Sequence, residues 1–376
     1  MIYLDYSATT PINKEVLESF NKVSLEFVGN PNSLHKLGIN AKHLIDKATE
    51  QIADIMDVKS EEIIYTSGSS ESNNTAIKGI ALKYQNRGKH IITTKLEHSS
   101  VIAPINYLQE NGFEVDFVEL DSNGLVDLNH LKSLLRDDTI LVSISSVNSE
   151  IGILQPIAEI GQLLKDYPKC FFHVDMTQSV GKVKVPLNNV DLASFSAHKF
   201  YGPKGVGVLV KKEDVSLEPL IHGGKSTTKF RSGTPALPLI VALAKALRLA
   251  YNNLDNKYHY IETLNKTIRA KLTSYSDVYI NSNEYSIPHI LNLSIIGVKP
   301  ETMLHALEEK DIYISTQSAC SSGGTSLAVL SVTNDVKRAQ SSIRISLSSL
   351  TTSDEIKSLL EAFDECYRHL KFIDDK

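Results

Sequence analysis

The sequence predicts an α/β protein with a mainly parallel sheet in a large domain and a smaller α+β domain. Three observations carry this. Short β-rich runs recur up to about residue 210, segments with helical spacing separate them, and the texture of the chain changes after about residue 250. Strands that alternate with helices pair in parallel through crossovers, so helices cover both faces of the sheet and its strands read as apolar runs. At 376 residues the chain also exceeds the size at which one hydrophobic core usually stops growing.

The first run is Ile63-Ile64-Tyr65-Thr66, followed by a helical pattern over Asn73 to Tyr84. His90 to Thr94, Glu114 to Leu120 and Ile140 to Ser145 read as strands, and Ile157 to Leu164 as a helix. Phe171 to Asp175, the apolar run Leu192 to Phe195, and Val206 to Val210 complete the sheet. Beyond residue 250 come Asn-, Tyr- and Ser-rich helices, a strand at Ile290 to Ile295 and a helix at Glu301 to Glu309. The expected division is a large domain over 15–250 and a small domain built from 1–14 plus 251–376. Inside the small domain, Ser315 to Ser326 is small and polar, and 315–340 lacks strong periodicity apart from Leu327 to Leu330. It reads as one long loop, which in a compact domain is usually functional.

Composition narrows the function classes. Hydrophobic residues are 42% and charged residues 22%, and 39 basic against 44 acidic side chains leave a net charge of -5 with no long run of one sign. Neither a nucleic-acid groove nor an anionic membrane surface is indicated, and a small-molecule substrate is the better expectation. The N-terminus lacks the order of a secretory signal, and the most apolar stretch, Pro235 to Ala244, is too short to span a bilayer. A cytoplasmic protein is expected. Cys170, Cys320 and Cys366 are odd in number and without CxxC spacing, which points away from a disulfide framework or a metal site. Any functional cysteine acts alone.

Ligands in parallel sheets collect beyond the carboxyl ends of strands. Lys199, in Ser196-Ala197-His198-Lys199, follows one such end and precedes a glycine turn. A lysine among small residues there can lose solvation and become a reactive amine, or it can be a surface lysine before a turn. Asp175 ends the preceding strand, where an acid or an ordinary cap residue fits. Thr66 to Asn73 follows a strand and opens a helix, so Ser69, Ser70 and free backbone N–H groups make either an anion cradle or a plain helix cap. His98 and Asn148 follow two further strands, as proton-handling and polar candidates or as hydrogen-bonded turn residues. An amine, a carboxylate and an anion cradle at one sheet edge are the parts of a pyridoxal 5'-phosphate (PLP) site, in which the acid keeps the ring nitrogen protonated.

These segments resemble the cysteine desulfurase family, in the class V branch of PLP-dependent transferases of fold type I. The resemblance runs through Tyr3 to Pro11, Gly29-Asn30-Pro31, and the SGSSESNN, EHSS, VNSEIG, VDMTQ, SAHKFYGPKG, RSGTP, SAC and SSIRISL segments in the family's order. It implies that Lys199 is the Schiff-base lysine, Asp175 the partner of the ring nitrogen and Gln178 a donor to the ring hydroxyl oxygen. By the same likeness His98 stacks on the ring, Ser70, Ser196 and His198 bind phosphate, and Thr234 is given by the neighbouring subunit of a homodimer. Arg344 corresponds to the arginine that grips the substrate carboxylate, assisted by Asn148, a task suited to a guanidinium fork. Cys320 corresponds to the nucleophilic cysteine on the long loop of the housekeeping and nitrogen-fixation group. The implied reaction turns L-cysteine into L-alanine, leaving a persulfide on Cys320 for an acceptor protein of iron–sulfur assembly or of tRNA or cofactor thiolation. Selenocysteine lysis, transamination and a retired scaffold are the alternatives. The sequence departs from the family pattern at Lys225 to Lys229, after Cys320, and at Ser348-Ser349. Cys170 and Cys366 fit inert thiols better.

Overall fold

In the computed structural model, which describes residues 1–224, 226–316 and 324–374, the chain opens with β1 (Ile2–Tyr3), α1 (Lys14–Glu26) and α2 (Lys36–Met56). The sheet region follows with β2 (Ile63–Thr66), α3 (Ser69–Tyr84), β3 (His90–Thr93), α4 (Ser99–Glu110), β4 (Glu114–Phe117) and α5 (Leu128–Leu134). It continues with β5 (Thr139–Ser145), α6 (Ile157–Leu164), β6 (Phe171–Asp175), β7 (Leu192–Ser196) and β8 (Gly207–Lys211). These form a seven-stranded sheet in the order β2-β8-β7-β6-β5-β3-β4. Pairing is parallel from β7 to β4, while β8 runs antiparallel to both of its neighbours. The link from Ser196 to Gly207 is shorter than the dozen or so residues that a parallel crossover needs, so β8 turns back. Every residue of β5 is buried, as the apolar-run reading requires.

The remaining elements are α7 (Leu237–Tyr251), α8 (Leu254–Leu272), β9 (Val278–Ile280), β10 (Ile290–Ile295), α9 (Pro300–Glu308) and β11 (Ile312–Tyr313). After them come α10 (Leu327–Thr333), α11 (Val336–Gln340), β12 (Ser342–Ser346) and α12 (Ser353–Asp374). The strands β12, β10 and β9 make an antiparallel sheet, and β1 pairs with β11 in parallel. One large apolar core gathers Val16, Ile52, Phe172, Phe195 and Leu247, and another gathers Leu4, Ile268, Leu293, Ile345 and Phe363. The reading of 315–340 as one loop is corrected, because its second half folds into α10 and α11. Ser326 caps the first by accepting from the Val329 N–H, and Asp335 caps the second by accepting from the Lys337 and Arg338 N–H groups. Helices this short hold too few apolar residues to show a period.

Between β1 and α1 the chain crosses the carboxyl ends of the sheet strands. The Thr10 and Asn13 N–H groups donate to the His198 and Tyr201 carbonyls at 2.9 Å each. Ser7 is held by its N–H to Ser346 Oγ at 2.9 Å. This segment therefore bridges the two cores and walls the space above the strand ends.

Candidate active site

A cavity of about 280 Å³ lies at that edge, lined by Ser69 and Ser70 after β2, His98 after β3, and Asp175 and Gln178 at the end of β6. His198 and Lys199 after β7, Arg344 from β12, and Ser7 and Ala8 from the crossing segment also line it. Its size suits a small ligand. At its rim α3 starts after Gly68, which has no side chain to cap the first-turn N–H groups. The start is pressed close to the sheet: a Cβ on Gly207 would stand 2.7 Å from Gly68 Cα. An uncapped helix start next to two serines is suited to an anion. The helix begins earlier than its apolar pattern indicates, because Ser69, Ser70, Glu71 and Ser72 are all polar and add nothing to the periodicity.

Lys199 Nζ donates to the Ser7 and Ala8 carbonyls at 2.7 and 2.8 Å. Asp175, at the end of β6 and buried, accepts from Asn73 Nδ2 at 2.8 Å on one oxygen and from Thr177 N–H and Oγ1 on the other. A carboxylate offers about four acceptor sites, so these three donors leave one for a ligand N–H. Asn73 gives its second amide hydrogen to Ser100 Oγ at 2.9 Å, and Ser100 meets His98 Nδ1 through its hydroxyl at 2.8 Å and its N–H at 3.1 Å. Asp175 and His98 are thereby joined through Asn73 and Ser100.

Burial, reinforced by Lys199, Lys204 and Lys182, pushes the His198 imidazole down to about 4. His98 is lowered by burial and by Lys199, with Asp175 opposing. Both rings are neutral near pH 7. Burial pushes the Glu97 carboxyl up to about 7 although Ser145 and Thr94 hydrogen-bond it. Arg344 is 1% exposed, donates to Asp5 Oδ1 at 2.8 Å and the Ser149 carbonyl at 2.9 Å, and keeps a buried Nε with no hydrogen-bond partner among the described residues. Gln178 donates from Nε2 to the Ser7 carbonyl at 2.9 Å.

The cavity thus brings together Ser69, Ser70, His98, Asp175, Gln178, His198, Lys199 and Arg344. Three other expected residues are placed elsewhere. The Asn148 amide closes a turn, donating to the Leu96 carbonyl and accepting from the Glu150 and Ile151 N–H groups, and Asn148 is not part of the cavity lining. Ser196 lies beneath the lining with its hydroxyl toward the Val206 carbonyl. Thr234 stands in a separate depression with Thr66, Ser67 and Arg231. An ion pair from Arg231 Nε to Glu71 Oε1 at 2.9 Å ties that depression to the first turn of α3. Cys320 lies outside the described residues. Sequence reading missed Ser7 and Ala8, which act through carbonyls, and Asn73 and Ser100, whose spacing from Asp175 and His98 carries no local signal.

The family model described as Aminotransferase class-V matches residues 2–359 of this chain. That family is PLP-dependent. The chain is 43% identical to a "NifS/IcsS protein homolog" of Lactobacillus delbrueckii subsp. bulgaricus over 99% of each chain. It is 41% identical to "Cysteine desulfurase IscS" of Dictyoglomus turgidum, covering 99% of this chain and 96% of the relative. Among solved structures it is similar to a "NIFS-like protein" with a TM-score of 0.92 and 35% identity, over 99% of both chains. The chain belongs to the cysteine desulfurase branch of the class V aminotransferase family. Among the described residues, no helix is long and apolar enough to cross a membrane and no cluster of side chains could hold a metal ion.

Proposed function

We propose that this chain converts L-cysteine to L-alanine with PLP and passes the sulfur through Cys320 to an acceptor protein. The observation that carries the reading is the placement of Lys199, Asp175 and Arg344 in one cavity beside an uncapped helix start. These groups fit PLP: the start of α3 with Ser69, Ser70 and His198 would hold the phosphate, Asp175 the ring nitrogen, Gln178 the hydroxyl oxygen, and His98 the ring face. Ser196 sits close behind this phosphate site, since a Cβ on Gly68 would lie 3.6 Å from its Oγ. PLP, when bound, supplies an electron sink for negative charge at the substrate Cα.

Lys199 would provide the amine that holds the cofactor and would serve as the base that moves the substrate Cα proton. Arg344 orients the substrate by its carboxylate, using the Nε that no described group satisfies, and Asn148 supports the turn bearing Ser149. The Cys320 thiolate then attacks the substrate sulfur. A sulfur–sulfur bond forms at Cys320 as the carbon–sulfur bond breaks, the bond's electron pair stays with the carbon skeleton, and Cβ gains a proton. The thiol and cysteine together become persulfide and alanine, so atoms and electrons balance without another reactant. Thr234 is exposed and away from its own chain's cavity, which suits a threonine supplied to a second copy in a homodimer. The acceptor we expect is a protein of iron–sulfur assembly or of tRNA or cofactor thiolation, as the sequence resemblance implies.

The test is to give the purified protein L-cysteine without a keto acid. Alanine and sulfide should form, and mass spectrometry of trapped enzyme should place one added sulfur on Cys320. A strict need for a keto acid would mark an aminotransferase, and added sulfur on Cys170 or Cys366 would overturn the thiol assignment.

A further inference from the structure

Lys182 is a second lysine at this site that the proposed chemistry leaves without a task. It is 7% exposed, and among the described residues no carboxylate forms an ion pair with it. A buried amine without a counter-charge is costly, so its place calls for a reason. Its Nζ stands 2.6 Å from Gln178 Oε1, four residues back along the chain. Gln178, itself 5% exposed, turns its Nε2 to the Ser7 carbonyl, which also accepts from Lys199. A small pocket behind this row is lined by Lys182, Lys199, His289 and Tyr201, and His289 Nδ1 is buried there without a partner.

An amide has nearly the same shape in its two flipped orientations, and only its hydrogen bonds decide which end faces a ligand. The lysine ammonium has three donors and no acceptor, so it can meet Oε1 but not the Nε2–H end of the amide. We propose that Lys182 is a positioning residue that locks the Gln178 amide with its N–H end toward the cavity. With the amide reversed, Oε1 would face the Ser7 carbonyl and any ligand oxygen, and both contacts would repel. Burial, with Lys199 and Arg344 adding repulsion, lowers the Lys182 amine to about 7; below that value the ammonium can only donate, and above it the neutral amine still donates to Oε1 while the Ser7 carbonyl holds Nε2. This inference rests on the reading of Gln178 as the donor to the PLP hydroxyl oxygen.

The experiment titrates the visible absorbance of bound PLP with pH in wild-type holoenzyme, Gln178→Ala, Lys182→Met and the double variant. Losing the donor should make the ring oxygen harder to keep ionised, raising the midpoint by on the order of one pH unit in Gln178→Ala and Lys182→Met. The double variant should match Gln178→Ala alone, because Lys182 acts only through that amide. A further rise in the double variant would mean that the lysine acts by its charge through space, which overturns the proposal. So would a wild-type midpoint in Lys182→Met. An unmoved midpoint in Gln178→Ala would remove the reading of Gln178 and this proposal with it. Should Lys182→Met not fold, Lys182→Gln decides, since it withdraws the charge but keeps an N–H donor. A wild-type midpoint there supports orientation, and one displaced as far as in Gln178→Ala refutes it.

Discussion

Replacing Arg344 by methionine separates what the guanidinium does for a substrate from what it does for the fold. Two of its nitrogens are spent, on Asp5 Oδ1 at 2.8 Å and on the Ser149 carbonyl at 2.9 Å, and Nε is left buried beside the cavity. Losing one member of a buried, hydrogen-bonded charge pair with the substrate carboxylate costs about 2–5 kcal/mol. At 1.4 kcal/mol per decade this raises KM for cysteine from about 30-fold to several thousand-fold. The fold should suffer less than the ~3–5 kcal/mol of a fully buried broken pair, because the Asp5 side chain is 21% exposed and can rehydrate. Alanine formation against cysteine concentration, with a thermal melt of each variant, reads both effects. Adding Asp5→Asn to Arg344→Met removes the stranded charge and should return part of the stability while KM stays high. A KM within about twofold of wild type in the folded single variant would refute the reasoning.

Gly207→Ala forces a methyl group to within 2.7 Å of Gly68 Cα and of the Phe195 carbonyl. It should lower stability by about 1–3 kcal/mol and weaken PLP affinity by displacing the start of α3, and an unchanged affinity in a fluorescence titration would count against the cradle. For Glu97, the folded-state value near 7 stands above the ordinary 4.5, so its stabilising proton is fully present below about 4.5 and is lost as pH rises through about 7. Glu97→Gln mimics the protonated acid, and the fall in urea-unfolding free energy from about pH 5 to pH 8 should be shallower in the variant; equal slopes would contradict the assignment.

The sequence made the strand-end residues legible because one rule covers them all. Lys199, Asp175, His98 and the serines of α3 each follow an apolar run, and a parallel sheet gathers such positions at one edge whatever the details of packing. Asn148 satisfies the same rule, but its amide oxygen is consumed by its own turn and its amide N–H by the Leu96 carbonyl, choices that the strand pattern does not encode. The antiparallel β8 was concealed because a buried run reads alike in either direction. Ser7 and Ala8 act through main-chain carbonyls, which every residue possesses, so their part in holding Lys199 has no sequence signature. Lys182 escaped for a related reason: a lysine four residues after a glutamine reads as a solvated helix face until its burial is known.

The chain of contacts from Asp175 to His98 has a consequence for the division of labour. Ser100 offers its backbone N–H to His98 Nδ1, and a backbone N–H can only donate. The nitrogen it meets must therefore carry a lone pair, and the neutral ring holds its proton on Nε2. Asn73 directs both amide hydrogens outward, one to Asp175 and one to Ser100 Oγ, so the Ser100 hydroxyl is turned to donate to the same Nδ1. Protonating Nδ1 would break two hydrogen bonds at once, in a setting where burial and Lys199 already oppose a positive charge. His98 then presents a donor through Nε2, suited to stabilising or protonating a ligand atom but unable to accept a proton there while neutral. On the proposed function, removal of the Cα proton is then assigned to Lys199, the amine in the same cavity.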